Sequence, residues 1–262
     1  MKILRRLAAA SAAFLFSLAA HATAFSSDTS DLWWNPNESG WGMNVIQQGP
    51  IQFITLFVYG SDGKATWFVG PDTEFQATSN GTAVFTGALY QTTGPAFPTT
   101  FNPSAVGVRQ VGNINITLTT LVSGSVSYSV DGVTVVKDIQ RQTWVTEDLS
   151  GNYLGAATGV YSGACSATGY QEEPASVSVT QSGTGYSMNF ASANRNCTFT
   201  GTYHQDGRMG SAIGSYSCTN GVNGTFGIVE MQATPAAINM RITTTASGCS
   251  WQSLYSGARR AS

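Results

Sequence analysis

Pairs of a turn-forming residue and glycine punctuate this chain. Asn80-Gly81, Asp131-Gly132 and Asp206-Gly207 each separate two β-type runs, and Asp62-Gly63 does so within a slightly longer loop. Such pairs accept the positive φ that a hairpin needs to match the right-handed twist of its strands. Three of the turns share the pattern Tyr-x-x-Asp-Gly, at Tyr59, Tyr128 and Tyr203, with unequal intervals between them. That spacing describes a recurring hairpin and not a fixed-period solenoid. The runs between turns, such as Ile51–Tyr59, Val133–Thr143 and Met209–Cys218, carry no helical periodicity. Glycine-bearing segments are read as pairs of strands: Ala105–Val111 with Ile114–Leu121, and Gly151–Ala156 with Gly159–Ala164.

The fold class that follows is all-β. A boundary near Thr146-Glu147 divides the chain into halves that each hold enough strands to close a small barrel and so remove its exposed edges. We expect two tandem antiparallel meander β-barrels of the avidin or lipocalin kind, with one larger β-sandwich as the alternative. The expected division is a signal peptide over 1–24, a Trp-rich barrel over 25–146 and a disulfide-containing barrel over 147–262.

The N-terminus carries the export reading. Lys2, Arg5 and Arg6 precede an uncharged apolar run from Leu7 to Ala20, and Ala22-Thr23-Ala24 supplies a small-x-small cleavage site. The expectation is cleavage after Ala24 and a periplasmic or secreted protein with no transmembrane anchor, since the run is too short to span a bilayer. Removing that leader leaves nine basic residues against 14 acidic ones, a net charge of −5, which disfavours nucleic acid as a partner.

Cys165, Cys197, Cys218 and Cys249 all lie in the second half. An even count in an exported chain reads as two disulfides, whereas a metal site would want ligand spacings that are absent, and His204 is the one histidine beyond the leader. A two-residue Asp206-Gly207 loop pairs Gln205 with Arg208, sets Cys197 opposite Tyr216 and makes Cys218 a diagonal neighbour. The reading is therefore Cys197–Cys218 with Cys165–Cys249, among the three connectivities four cysteines allow. No metal or cofactor motif is present, and oligomeric state is not legible.

The segment Trp34-Asn35-Pro36-Asn37-Glu38-Ser39-Gly40-Trp41-Gly42-Met43-Asn44, followed by the hairpin Tyr59-x-x-Asp62-Gly63-x-x-x-Trp67-Phe68, resembles a family of secreted bacterial proteins with a W-x-P-x-x-S-G-W-G-[ML]-N opening. The likeness runs from about Trp33 to Arg141. It implies an exported β fold and brings no established activity. Trp34-Asn35 with Ser39-Gly40 is also similar in ingredients, though not in spacing, to the first strand of avidin-type barrels, and a biotin site does not carry over.

Chemistry is sparse. No serine sits in a G-x-S-x-G elbow, and His204 reads as an exposed histidine beside a turn. Parity around a Thr234-centred turn makes Glu230–Arg241 an outer ion pair. Aromatic residues are the strongest remaining signal. Trp33, Trp34, Trp41 and Trp67 crowd one segment with Phe53, Phe57, Tyr59 and Phe68. If Tyr59 pairs with Lys64, Leu56 meets Trp67 on one face while Phe57, Tyr59 and Phe68 lie on the other. One set then fills the barrel, and the other either packs on the second module or forms a ligand platform at the barrel mouth.

The leading functional expectation is a non-enzymatic binding module for a small molecule or glycan, contacted by Trp34, Glu38, Trp41 and Trp67 and oriented by Asn35 and Asn44. The alternatives are a carbohydrate-active hydrolase using Glu38, and a purely structural cell-envelope protein.

Overall fold

The computed structural model describes residues 27–79 and 82–260. The expected leader, its cleavage site and the Asn80-Gly81 turn lie outside these residues. Among the described residues no helix is long and apolar enough to cross a membrane.

The chain forms two closed eight-stranded antiparallel barrels. The first is built from β1 (Asp31–Trp34), β2 (Gly42–Gln48), β3 (Ile51–Tyr59), β4 (Ala65–Ser79), β5 (Thr82–Thr93), β6 (Gly107–Leu118), β7 (Ser123–Val130) and β8 (Val133–Arg141). The second follows as β9 (Gly151–Gly163), β10 (Gly169–Ser182), β11 (Gly185–Ser192), β12 (Asn196–Asp206), β13 (Met209–Cys218), β14 (Asn223–Ala233), β15 (Ala237–Ala246) and β16 (Cys249–Arg259). Within each barrel every strand pairs with its sequence neighbours, and β8 closes on β1 as β16 closes on β9. This up-and-down order needs only hairpins, which is what the turn chemistry supplies. The single-sandwich alternative is excluded.

Two sequence-read breaks are not breaks. The predicted strands on either side of Gly112 form one strand, β6, and those on either side of Ala157-Thr158 form one strand, β9. The glycines there serve close approach instead of turning the chain. A Cβ at Gly112 would lie 2.1 Å from the Ser129 carbonyl oxygen, and one at Gly155 would lie 1.8 Å from that of Ser256.

Alternation fills both interiors. Met43, Ile54, Leu56, Phe85, Ile114 and Ile116 are buried inside the first barrel, and Tyr153, Met188, Phe190, Met240, Ile242 and Tyr255 inside the second. A filled apolar interior is the inverse of the polar lumen of a membrane-spanning barrel.

The barrels share a closing device. Arg141, the last residue of β8, lies with its guanidinium carbon 4.9 Å from the Trp33 ring of β1, and Arg259 ends β16 at the same 4.9 Å from Tyr153 of β9. Trp33 Nε1 donates to the carbonyl of Thr29 at 3.0 Å, and the Tyr153 hydroxyl donates to that of Leu149 at 2.8 Å, each four residues back. In both barrels a cation on the final strand thus seals an aromatic of the first.

These sealed ends face each other. Asp31 Oδ2 accepts from Arg141 Nη1 at 2.9 Å and also from the backbone N–H of Arg208, in the β12–β13 turn, at 2.9 Å. Thr143 Oγ1 accepts from the Gly207 N–H at 2.8 Å, and Ser27 donates to Glu230 at 2.5 Å.

Both bridges, Cys197–Cys218 and Cys165–Cys249, are present. The register behind the first differs from the expected one. Asp206 stands opposite Met209, so the two-residue loop is Gly207-Arg208 and Cys197 lies directly opposite Cys218 instead of diagonal to it. Gly207 has φ +57°, and a glycine in the first central position is what this class of hairpin turn selects.

Candidate functional site

The predicted site residues divide into two groups with different surroundings. Asn35, Glu38 and Trp41 belong to the loop between β1 and β2. Asn35 folds that loop: its carbonyl accepts from the Glu38 N–H at 3.0 Å, and its side-chain oxygen accepts from the Asn37 N–H at 2.9 Å. The Glu38 carboxylate then accepts from Trp41 Nε1 at 3.0 Å and pairs with Lys137 Nζ at 2.7 Å, while Lys137 sits 6.0 Å from the centre of the Trp41 ring. Hydrogen bonding from Lys137, and next from Trp41, holds the Glu38 carboxyl below its ordinary range. Tyr128 shares this neighbourhood. Burial raises its hydroxyl pKa, opposed by Lys137 and reinforced by Glu38.

Lys137 and Tyr128 were missed in the sequence. The signal was available in parity: on β8, Lys137 alternates in step with Ile139 and Arg141, both buried, so it faces inward. The result is a polar knot at the end of the first barrel remote from the second.

Trp34, Asn44 and Trp67 stand elsewhere, on the outer wall. The expected Tyr59–Lys64 pairing is replaced by Tyr59–Ala65, because residues 60–64 form a longer loop in which the Gly60 N–H donates to the Lys64 carbonyl. That one-residue change places Leu56 opposite Phe68, both buried, and Phe57 opposite Trp67, which are 37% and 52% exposed. The expected Leu56–Trp67 pair, and the grouping of Phe68 with Phe57 and Tyr59 on the opposite face, are thereby corrected, as a register slip exchanges faces.

One row crosses the outside of four strands. Trp34, one residue beyond the Trp33–Met43 pair, is level with Gly42; Gly42 is opposite Phe57; Phe57 is opposite Trp67. Gly42 is a gap that the Phe57 ring fills, since a Cβ there would lie 2.7 Å from Phe57 Cζ. Asn44 belongs to the next row, between Leu32 and Thr55. The aromatic set is therefore a wall feature and not a mouth feature. It does not pack on the second module either, whose polar contacts to the first run through Asp31, Thr143 and Ser27 at the sealed end.

The remaining candidates are quickly placed. His204 is exposed and pairs with Asp206 at 3.2 Å. Glu230 pairs with Arg241 at 3.2 Å from a bulged position with φ +53°.

Fold and site together define a tandem pair of meander barrels, each latched by arginine over an aromatic ring, the first carrying an outer aromatic row in which Phe57 and Trp67 are exposed and Trp34 is partly buried. Among solved structures the chain is similar to one described as a "putative outer membrane protein" from Bacteroides fragilis, at 14% identity over 87% of this chain and 95% of that one, with a TM-score of 0.32. No family model and no curated protein matches the chain.

Proposed function

We propose that this chain is an exported, non-enzymatic binding protein that holds an uncharged glycan against the outer wall of its first barrel. The observation that carries this reading is the row Trp34–Phe57–Trp67 across β1, β3 and β4, with Asn44 and Thr55 in the adjoining row. Strand spacing of about 4.8 Å spreads that row over roughly 14 Å, a length suited to several linked sugar rings. The row and its neighbours Leu32, Asn44, Thr55 and Val69 contain no charged side chain, which favours a neutral ligand with apolar ring faces and hydroxyls. The two disulfides support an oxidising compartment.

Hydrolysis through Glu38 is the weaker reading. A glycoside-cleaving acid needs a raised carboxyl pKa and a second carboxylate nearby. Glu38 instead is lowered by a lysine and an indole N–H.

Affinity electrophoresis in gels containing neutral glucan, mannan or xylan tests the proposal. The native chain should be retarded in at least one gel, and Trp67→Ala or Phe57→Ala should weaken binding about fivefold each, for a ring contribution near 1 kcal/mol. Both side chains are exposed, so the far-ultraviolet circular dichroism should be unchanged. No retardation in any of the gels, or equal retardation of the variants, sinks the reading.

A further inference from the structure

The second barrel is sealed where it meets the first and hollow at the opposite end. There a cavity of about 530 Å3 is lined by Tyr161, Arg195, Tyr216 and Trp251, with the Asn220–Asn223 turn and the Cys165–Cys249 bridge at its rim. Pockets for small ligands occupy this size range. None of these residues belongs to the aromatic row of the first barrel, and the cavity is an independent feature.

Its chemistry is asymmetric. Tyr161 and Trp251 stack with ring centres 5.6 Å apart at 14°, which gives one wall an extended aromatic surface. Arg195, on the β11–β12 turn, lies with its guanidinium carbon 4.9 Å from the Trp251 ring. Among the described residues it is the one charged side chain lining the cavity. Behind it, Glu173 accepts from Arg195 Nη2 at 2.6 Å and from the Ser192 hydroxyl at 2.5 Å, so the planar fork is held in a fixed orientation. Two donors nevertheless go unused. Among the described residues, Arg195 Nε and Trp251 Nε1 are buried without a hydrogen-bond partner, an arrangement that folded proteins usually avoid.

We propose that this open end is a binding site for a small ring-bearing carboxylate. The ring extends the Tyr161–Trp251 stack, and the carboxylate accepts from the edge of Arg195 that Glu173 leaves free. The uncharged rim of Asn220, Asn223 and Ser247 admits the ligand without an opposing charge. Because both unused N–H groups are closed to water, an acceptor reaches them only if Arg195 and Trp251 shift, with the Tyr161–Trp251 stack kept. Binding must therefore register directly on Trp251.

The test is nuclear magnetic resonance of the 15N-labelled full chain, following indole N–H signals, with the Trp251 signal assigned by its loss in Trp251→Phe. The probes are benzoate and indole-3-acetate, with acetate and benzyl alcohol as controls lacking the ring or the carboxylate. At least one ring carboxylate should shift the Trp251 signal saturably with a Kd below about 1 mM, while neither control does. Arg195→Lys keeps the charge and removes the planar fork; it should weaken binding at least tenfold in a chain whose spectrum stays dispersed. The proposal is overturned if neither carboxylate saturates the signal, if acetate or benzyl alcohol binds equally well, or if Arg195→Lys binds as the native chain does. The two controls compare ligand chemistry on the unmutated protein, so they decide the matter even where the variant fails to fold. Glycan retention on the first barrel is a separate readout, and either can fail without the other.

Discussion

Arg141→Met should be among the most damaging single substitutions in the first barrel. The side chain is 1% exposed and is held by four donated hydrogen bonds: to the carbonyls of Leu121 at 2.8 Å, Asp28 at 2.6 Å and Ser30 at 3.4 Å, and to Asp31 at 2.9 Å. Methionine fills much of the volume and still touches the Trp33 ring, but it leaves Asp31, itself 8% exposed, without its cation. Removing one member of a buried pair costs about 3–5 kcal/mol, mostly because the surviving charge stays desolvated. Asp31→Asn in the same chain removes that charge, so the double variant should recover part of the loss and show a coupling of 1 kcal/mol or more, within the range of roughly 0.5–3 kcal/mol for residues in contact. Urea unfolding followed by tryptophan fluorescence measures both quantities, because Trp33 lies under the guanidinium. Arg259→Met provides the comparison. Its cation also covers an aromatic ring and donates to the Ser150 carbonyl at 2.8 Å, and among the described residues it makes no direct ion pair, though Asp148 lies within reach of its charge. Its loss should be nearer 1.5–3 kcal/mol, the scale of a charged hydrogen bond. An Arg141→Met effect within about 0.5 kcal/mol, as for an ordinary surface change, or a double variant no better than the single, refutes the latch argument.

Three further outcomes are expected. Glu38 is held ionised by Lys137 and Trp41, so its contribution is complete above the carboxyl pKa of the unfolded chain and is lost as pH falls through the lower folded value; an acid-range change in Trp41 fluorescence should be present in the native chain and absent in Glu38→Gln. Burial raises the pKa of Tyr203 and Tyr255 to about 12, against about 10 for an unfolded tyrosine. Stability should therefore hold below pH 10 and fall between 10 and 12, with the phenolate absorbance of these two residues appearing only near the upper limit. Replacing Cys197 and Cys218 by serine should cost about 2–4 kcal/mol in denaturant unfolding, and non-reducing peptide mapping of the native chain should recover Cys197 linked to Cys218.

The barrels were legible because hairpin chemistry and period-2 alternation act locally. Asp131-Gly132 forms a turn wherever it is placed between β-type runs, and eight short strands in sequence have few ways to avoid leaving an edge. Register was less legible. The Tyr59 hairpin turns on whether Lys64 joins the strand or the loop, and a hydrogen bond between Gly60 and Lys64 decides it. Nothing in the residue types fixes that choice, yet it determines whether Trp67 or Phe68 is inside. Long-range partners were the least legible of all. Glu38 and Lys137 are nearly a hundred residues apart, and only the closure of β8 on β1 brings them to 2.7 Å. Arg195 and Trp251 meet for the same kind of reason in the second barrel. The cysteine pairing was reached through a register two residues in error, with Cys197 set opposite Tyr216 where it faces Cys218, because direct and diagonal cross-strand neighbours are both close enough to suggest a bridge.

The latch also explains why the two barrels need not resemble each other elsewhere. Closing a meander requires its first and last strands to meet, and in both halves an arginine over an aromatic ring performs that closure at the ends facing each other. Asp31 binds the first latch and the backbone of Arg208 together, so one carboxylate takes part both in closing the first barrel and in attaching the second. Gly207 completes this junction: a Cβ there would come within 2.2 Å of Asp31 Oδ2 and 2.8 Å of the Arg141 Cβ. With closure concentrated at the junction, the remote ends and outer walls carry little of that burden and are free to diverge. The first barrel's remote end holds the Glu38–Lys137 knot and its wall the aromatic row, whereas the second is hollow there and stapled by two disulfides. A substitution at Asp31 should therefore loosen the first barrel and its attachment to the second, while one at Trp67 or Arg195 should alter a single surface.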